Sequence, residues 1–263
     1  MPPVILDVTD VSKTFGKGEK ATRANADVSL AVRTGEVVCL LGHNGAGKTT
    51  LVNQIVGTVL PDAGTITLSG VDAIAHPARA REIASVQAQA NVPIQGLTPR
   101  KAISLVGRIR GLDKATAQAR TDEMIGRLRL AQWADKPSQK VSGGVARLTA
   151  FAMAAIAPGK LVVLDEPTND VDPVRRRLLW QEIRRIADGG AGVLLVTHNV
   201  HEAEQVVDQV VLLDEGRVVV AGTPAALIAA HDGETLEDVY INLVGEEKAP
   251  ATEYEEADLE VPA

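Results

Sequence analysis

Several familiar functional classes are excluded by what this sequence has little of. It carries a single cysteine, Cys39, so no intramolecular disulfide can form. Cys39 sits in the apolar run Val37-Val38-Cys39-Leu40-Leu41, where a small buried side chain is the expected role. Aromatic residues make up only 2% of the 263 positions, so the core must be built from Val, Leu, Ile and Ala. Base-stacking aromatic platforms for single-stranded nucleic acid are scarce for the same reason. No stretch reaches the ~20 uninterrupted apolar residues of a membrane-spanning helix. The start, Met1-Pro-Pro-Val-Ile-Leu-Asp7, breaks its apolar run too early to read as a secretory leader. The expected location is therefore cytoplasmic.

A basic excess is also missing. Lys and Arg number 27 against 34 Asp and Glu, a net charge of −7. Seven acids against Lys248 give residues 246–263 a charge of −6, which leaves residues 1–245 at about −1. A near-neutral folded part has no field to draw in DNA or RNA, and no nucleic-acid partner is expected. Residues 246–263 read as an acidic, solvated and disordered appendage to a domain spanning 1–245.

What is present is a β/α alternation. Residues 4–11 and 28–32 alternate as half-buried strands and predict an antiparallel β layer near the N-terminus. Residues 37–41 form a continuous apolar strand, followed by a glycine-rich loop and a helix over about 47–58. A turn at 61–64 leads to a strand over 64–69. Helical periodicity over 102–111, 115–130 and 146–156 predicts a helical lobe inserted at about 90–158. Strand character returns at 161–164, 193–196 and 210–213, and 217–220 closes a hairpin through Asp214-Glu-Gly216. A helix over 174–187 lies between two of these strands, and its arginines at 175–177, 184 and 185 read as a solvated surface. The pattern predicts an α/β fold with a mostly parallel sheet.

Two motifs carry chemistry. Gly42-His-Asn44-Gly45-Ala-Gly47-Lys48-Thr49-Thr50 matches the P-loop pattern between an apolar strand and a helix, the context that pattern needs. Glycines let backbone N–H groups curl round an anion, and the helix N-terminus adds a favourable dipole. Lys48 is placed to reach β- and γ-phosphates, and the Thr49 hydroxyl to ligate Mg²⁺. Leu161-Val-Val-Leu164-Asp165-Glu166 is an apolar strand ending in two acids. Asp165 is placed to hold Mg²⁺, and Glu166 to take a proton from an attacking water. His43, His76, His201 and His231 show no ligand spacing and are given no chemistry.

With these motifs in order, residues 4–245 resemble the ATP-binding cassette family. Val141-Ser142-Gly143-Gly144 is similar to its signature sequence, normally Leu-Ser-Gly-Gly-Gln. Asp165-Glu166-Pro167-Thr168 and Asn169-Asp170-Val171-Asp172 resemble its magnesium motif and D-loop, and Thr197-His198 its switch histidine. Phe15 falls where the family places a ring that stacks on adenine. The resemblance implies a RecA-like P-loop NTPase core that binds ATP and Mg²⁺. It implies that Ser142 and Gly144 serve the site of a second cassette subunit, so that a homo- or heterodimer is needed. It also implies a separate integral membrane permease, which would hold the chain at the inner face of the membrane. The family's Mg²⁺-touching glutamine is Gln87, Gln89 or Gln95. Counting back from Leu97-Thr98 selects Gln89, whereas counting forward from Ile83 falls on Ala88.

Residues 222–227 and 235–240 resemble the ending of cassettes serving bacterial drug, ion or lipid exporters. Alternative readings are a soluble cassette ATPase acting on ribosomes or DNA, and a low-turnover nucleotide-binding regulator. The second rests on Val145, which stands where the signature has Gln. On that reasoning, Val145→Gln is expected to preserve or raise turnover.

Overall fold

The structure, a computed structural model, describes residues 2–89, 96–198, 200–204, 206–231 and 233–245. In chain order it opens with two long strands, β1 (Val4–Phe15) and β2 (Thr22–Arg33), followed by β3 (Val37–Leu41) and α1 (Lys48–Ile55). Next come β4 (Ala63–Leu68), β5 (Val71–Asp72), α2 (Pro77–Ile83) and β6 (Ala84–Gln87). Three helices intervene before the next strand: α3 (Pro99–Ile109), α4 (Lys114–Arg127) and α5 (Gly143–Ala155). The chain continues through β7 (Leu161–Asp165), α6 (Pro173–Asp188), β8 (Gly192–Val196), α7 (Val200–Glu204) and β9 (Gln209–Asp214). It closes with β10 (Arg217–Gly222), α8 (Pro224–Ala230) and α9 (Leu236–Val244).

The strands form two sheets. One is antiparallel, in the order β2-β1-β4-β5; the other runs β10-β9-β3-β8-β7-β6 and is parallel except for β10 at its edge. Period-two alternation along the central strands explains how they stack. Val37, Cys39 and Leu41 share a core with Val162, Leu164, Val193, Leu195 and the helices α3 to α6. Val38 and Leu40 face the opposite way, into a core with α1 and the inner residues of the antiparallel sheet, such as Leu6, Val28 and Ile66. A sheet buried on both faces needs unbroken apolar strands, which is why β3, β7 and β8 are buried at every position. The Cys39 thiol lies fully inside, pushed well up from its ordinary pKa by that burial.

The expected α/β fold with an N-terminal antiparallel layer is what the structure has; β5 and α7 are additions to it, and other differences lie at the ends of elements. β1 runs four residues past Val11, and β2 starts at Thr22, because the two strands keep pairing through bulges into polar sequence. The helix expected over 47–58 ends at Ile55, since Gly57 turns the chain with φ +70°. Helix starts follow their caps: Thr98, Asp113, Ser142 and Asp172 each accept a backbone N–H three residues on. The 210–213/217–220 hairpin closes through Glu215 and Gly216, both at positive φ. Most of the α6 arginines are engaged. Arg175 bonds Asp172 and stacks on Trp133 at 4.3 Å, Arg184 pairs with Asp188 and Asp208, and Arg185 lies 3.4 Å from Glu182. Among the described residues no helix is long and apolar enough to cross a membrane. The acidic segment 246–263 and Gln95 lie outside the described residues.

Candidate functional site

The chemistry-bearing motifs converge because β3 and β7 are parallel neighbours of β8. Their C-terminal ends therefore deliver the P-loop and the two acids to the same edge of the sheet. Asn44, Gly45, Gly47, Lys48, Thr49, Thr50, Gln89, Asp165 and Glu166 line one cavity of about 660 Å³. That volume is in the range that encloses most of a nucleotide-sized ligand.

Gly47 shows why the loop needs glycine. Its φ is +105°, and a Cβ there would meet the Ala24 carbonyl oxygen at 2.1 Å. Asn25 Nδ2 donates to the Gly47 carbonyl at 3.2 Å and ties the loop to β2. Gly42, just after β3, lies against the Leu213 carbonyl of β9 and lets the loop leave the sheet. Lys48 folds back under the loop. Its Nζ donates to the carbonyls of Gly42 at 2.5 Å and His43 at 3.0 Å, and the residue is only 7% exposed. Burial holds its pKa below the ordinary lysine value, against the opposing pull of Glu166 and Asp165.

Asp165, the last residue of β7, is buried beside Glu166. Burial, and then the charge of Glu166, push its carboxyl up to about 6, while Lys48 and Arg147 oppose the shift. A buried carboxylate lining the same cavity as Thr49 and Gln89 offers an oxygen-rich, negatively charged donor set of the kind that suits a hard divalent cation. Glu166 has φ +49° and is 3% exposed. Both of its carboxylate oxygens are engaged: Oε1 lies 2.8 Å from His198 Nδ1, and Oε2 accepts from Thr197 Oγ1 at 3.3 Å. Glu166 and His198, 32 residues apart in sequence, are thus in direct contact.

The structure separates the glutamines. Gln89 lines the cavity, whereas Gln87 ends β6 buried, with neither amide atom hydrogen-bonded. The remaining expected residues lie elsewhere. Phe15 is exposed at the end of β1, opposite the cavity-lining Thr22 in register, with Lys13 Nζ 5.5 Å from its ring. Asp172 caps α6. Burial raises its carboxyl pKa, but bonds from Arg175 outweigh this and hold it below the usual range. Ser142 caps α5 by accepting from Val145 N at 3.4 Å, and Ser142 with Gly143 and Gly144 at the start of that helix lies outside the cavity lining. Gly144 packs against the D-loop-like segment so closely that a Cβ would meet the Asp170 carbonyl at 2.2 Å.

One expectation changes. Val145 is 3% exposed and belongs to the core shared by α3 to α6, so its side chain does not face a nucleotide. A glutamine there would bury an amide among apolar side chains and add volume to a packed site. Val145→Gln is therefore expected to lower stability by about 1–3 kcal/mol, read as a lower urea midpoint with an unchanged slope. An unaltered midpoint would show that position 145 reaches solvent.

Sequence patterns missed Thr22, Arg23 and Ala24 at the start of β2 and Glu215 at the β9–β10 turn, all of which line the cavity. They also missed Arg147, 5% exposed, whose guanidinium donates to the Gln89 carbonyl at 2.5 Å and to the Ala88 carbonyl at 3.4 Å. Its signal was a charge inside an otherwise apolar helix.

A family model described as ABC transporter matches residues 26–169. Nod factor export ATP-binding protein I of Mesorhizobium japonicum is 35% identical over 237 residues, covering 90% of this chain and 68% of that protein. Doxorubicin resistance ATP-binding protein DrrA of Mycobacterium tuberculosis is 35% identical over 216 residues, 82% of this chain and 65% of that protein. A solved structure described as the ATP binding subunit of an ABC transporter superposes with a TM-score of 0.82 at 28% identity. It covers 91% of this chain and 99% of its own. A P-loop cavity lined by Glu166, which His198 contacts, on a fold and sequence shared with these proteins, places the chain in the ABC transporter family as an ATP-binding, ATP-hydrolysing subunit.

Proposed function

We propose that this chain is the motor of an exporter: two cassettes close over MgATP, and hydrolysis reopens them to move cargo through a separate membrane permease. The observation that carries the motor reading is the single cavity joining the phosphate-binding loop to Glu166, whose carboxylate is oriented by His198 and Thr197. Export is supported by relatives named for Nod factor export and doxorubicin resistance.

Each residue then has a role. The P-loop amides and Lys48 bind the β- and γ-phosphates, and Phe15, exposed and paired in register with the cavity-lining Thr22, offers a ring to the base. Thr49, Asp165 and Gln89 would hold Mg²⁺, which when bound neutralises phosphate charge. Glu166 accepts the proton of the attacking water, and His198 keeps that carboxylate aimed. Ser142, Gly143 and Gly144 lie outside the cavity lining of their own chain, which suits a role against the γ-phosphate held by a partner cassette.

A site completed by a second copy has a kinetic signature. The ATPase rate per chain is expected to rise with chain concentration until dimers saturate, and to change when the permease is added in lipid. A concentration-independent rate would remove the second cassette from the mechanism. Tight ATP binding without turnover, with or without permease, would make the chain a nucleotide-binding regulator instead.

A further inference from the structure

His43, the loop residue to which sequence spacing gives no chemistry, is held on both sides of its ring. Nε2 lies 2.7 Å from Asp214 Oδ1, and Nδ1 lies 2.7 Å from the Asn44 carbonyl oxygen. A carboxylate and a carbonyl are both pure acceptors. A neutral imidazole has one N–H and one lone pair, so either tautomer would set a nitrogen lone pair against an oxygen at 2.7 Å. Only the imidazolium donates to both. The charged groups round this end of the loop are Asp214 and Glu215 on the β9–β10 turn and Lys48 on α1. Arg23, Asp165 and Glu166 line the same cavity.

The contact belongs to a seam. Gly216 N, in the same turn, donates to the Ala46 carbonyl at 3.0 Å, and Ala26 N donates to the Gly216 carbonyl at 2.8 Å. Gly42 lies against the Leu213 carbonyl. The loop is thus fastened to the β9–β10 turn at Gly42, His43 and Ala46. Of these, His43 is the fastening that also fixes a peptide of the cavity wall. With the Asn44 carbonyl drawn to the ring, the Gly45 N–H of the same planar trans peptide points the opposite way. Asn44 and Gly45 both line the cavity.

We propose that His43 is a cationic positioning residue that clamps the phosphate loop to Asp214, so that nucleotide affinity follows the protonation of His43. This rests on the cavity being the nucleotide site. The sign is set by the geometry: below its titration the ring donates to both oxygens. As pH rises, one bond is lost, the Asn44–Gly45 peptide of the cavity wall is released, and a positive charge leaves the loop behind that wall. Affinity then falls.

Two measurements test this on the full chain. In ¹⁵N spectra of the histidine rings, with His43→Gln identifying the signal, both His43 nitrogens are expected to be protonated at neutral pH. Asp214→Asn, which replaces the carboxylate at Nε2 by an amide, is expected to leave one ring nitrogen unprotonated. A ring that is neutral at neutral pH overturns the clamp. Binding of Mg²⁺ with a non-hydrolysable ATP analogue is then followed across the titration. Relative to His43→Gln, whose profile carries only the titration of the nucleotide and the other groups, the unaltered chain is expected to lose about three- to tenfold in affinity. Superimposable profiles refute the link to affinity. Failure of the unaltered chain to bind at any pH refutes the nucleotide site beneath the proposal, while the ring spectra still decide the charge.

Discussion

Glu166→Gln is expected to reduce steady-state ATP turnover by about 10²–10⁴-fold while leaving MgATP binding intact. The substitution keeps the size of the side chain. Its amide oxygen can still accept one of the two bonds now made to His198 Nδ1 at 2.8 Å and Thr197 Oγ1 at 3.3 Å. What it loses is a basic oxygen and a negative charge. The charge matters for binding, because Glu166 sits in the same cavity as the phosphate loop and its field already pushes the Asp165 carboxyl up. Removing one anion from a site built for a triphosphate lowers repulsion, so affinity should hold or rise. Phosphate release and equilibrium nucleotide binding, measured on the same preparation, separate the two effects. Turnover within about tenfold of the unaltered chain would move the proton acceptor to another group. A parallel loss of binding would mean that Glu166 holds the loop rather than the water.

How much of this was legible in the sequence depended on how local each cause is. β3, β7 and β8 could be read directly, because a strand buried on both faces must be apolar at every position. The P-loop could be read because its residues fold onto themselves over seven positions, with Lys48 bonding the Gly42 carbonyl. Element ends were less legible, since β1 and β2 extend by pairing with each other through polar residues such as Lys13 opposite Asn25. The choice between Gln87 and Gln89 depended on where β6 stops: two residues apart they would share a strand face, and the end of β6 at Gln87 is what sends Gln89 to the cavity. Val145 read as a lost polar contact because the phase of α5 is set by the Ser142 cap and by packing, neither of which a motif contains. His43 was not legible at all, because the carboxylate that gives it meaning lies 171 residues away.

Arg147 has the same long-range character, and Arg147→Met is expected to damage both the loop before the lobe and the catalytic rate. The guanidinium is 5% exposed and lies in α5, yet its hydrogen bonds reach the carbonyls of Ala88 and Gln89, 59 and 58 residues earlier. Its charge also opposes the rise in the Asp165 carboxyl pKa. One side chain therefore ties the signature helix to the backbone that presents Gln89, and to the acid placed to hold Mg²⁺. Methionine keeps an apolar stem of similar length and removes the donors. Two carbonyls then lose a charged partner, which costs about 2–4 kcal/mol. For a chain of this size that corresponds to a fall in Tm on the order of 10 °C. Below that temperature the folded variant is expected to bind nucleotide through an intact P-loop but to turn over about 10–100-fold more slowly, because Gln89 is no longer held over the site. Arg147→Lys separates charge from geometry. The ammonium restores the field at Asp165, but the lysine side chain is one bond shorter and its nitrogen falls short of the Nη1 position from which both carbonyls are bonded. If lysine rescues stability and not turnover, the positioning of Gln89 is what Arg147 supplies to catalysis. If methionine leaves both Tm and turnover unchanged, the loop carrying Gln89 is held by something other than α5.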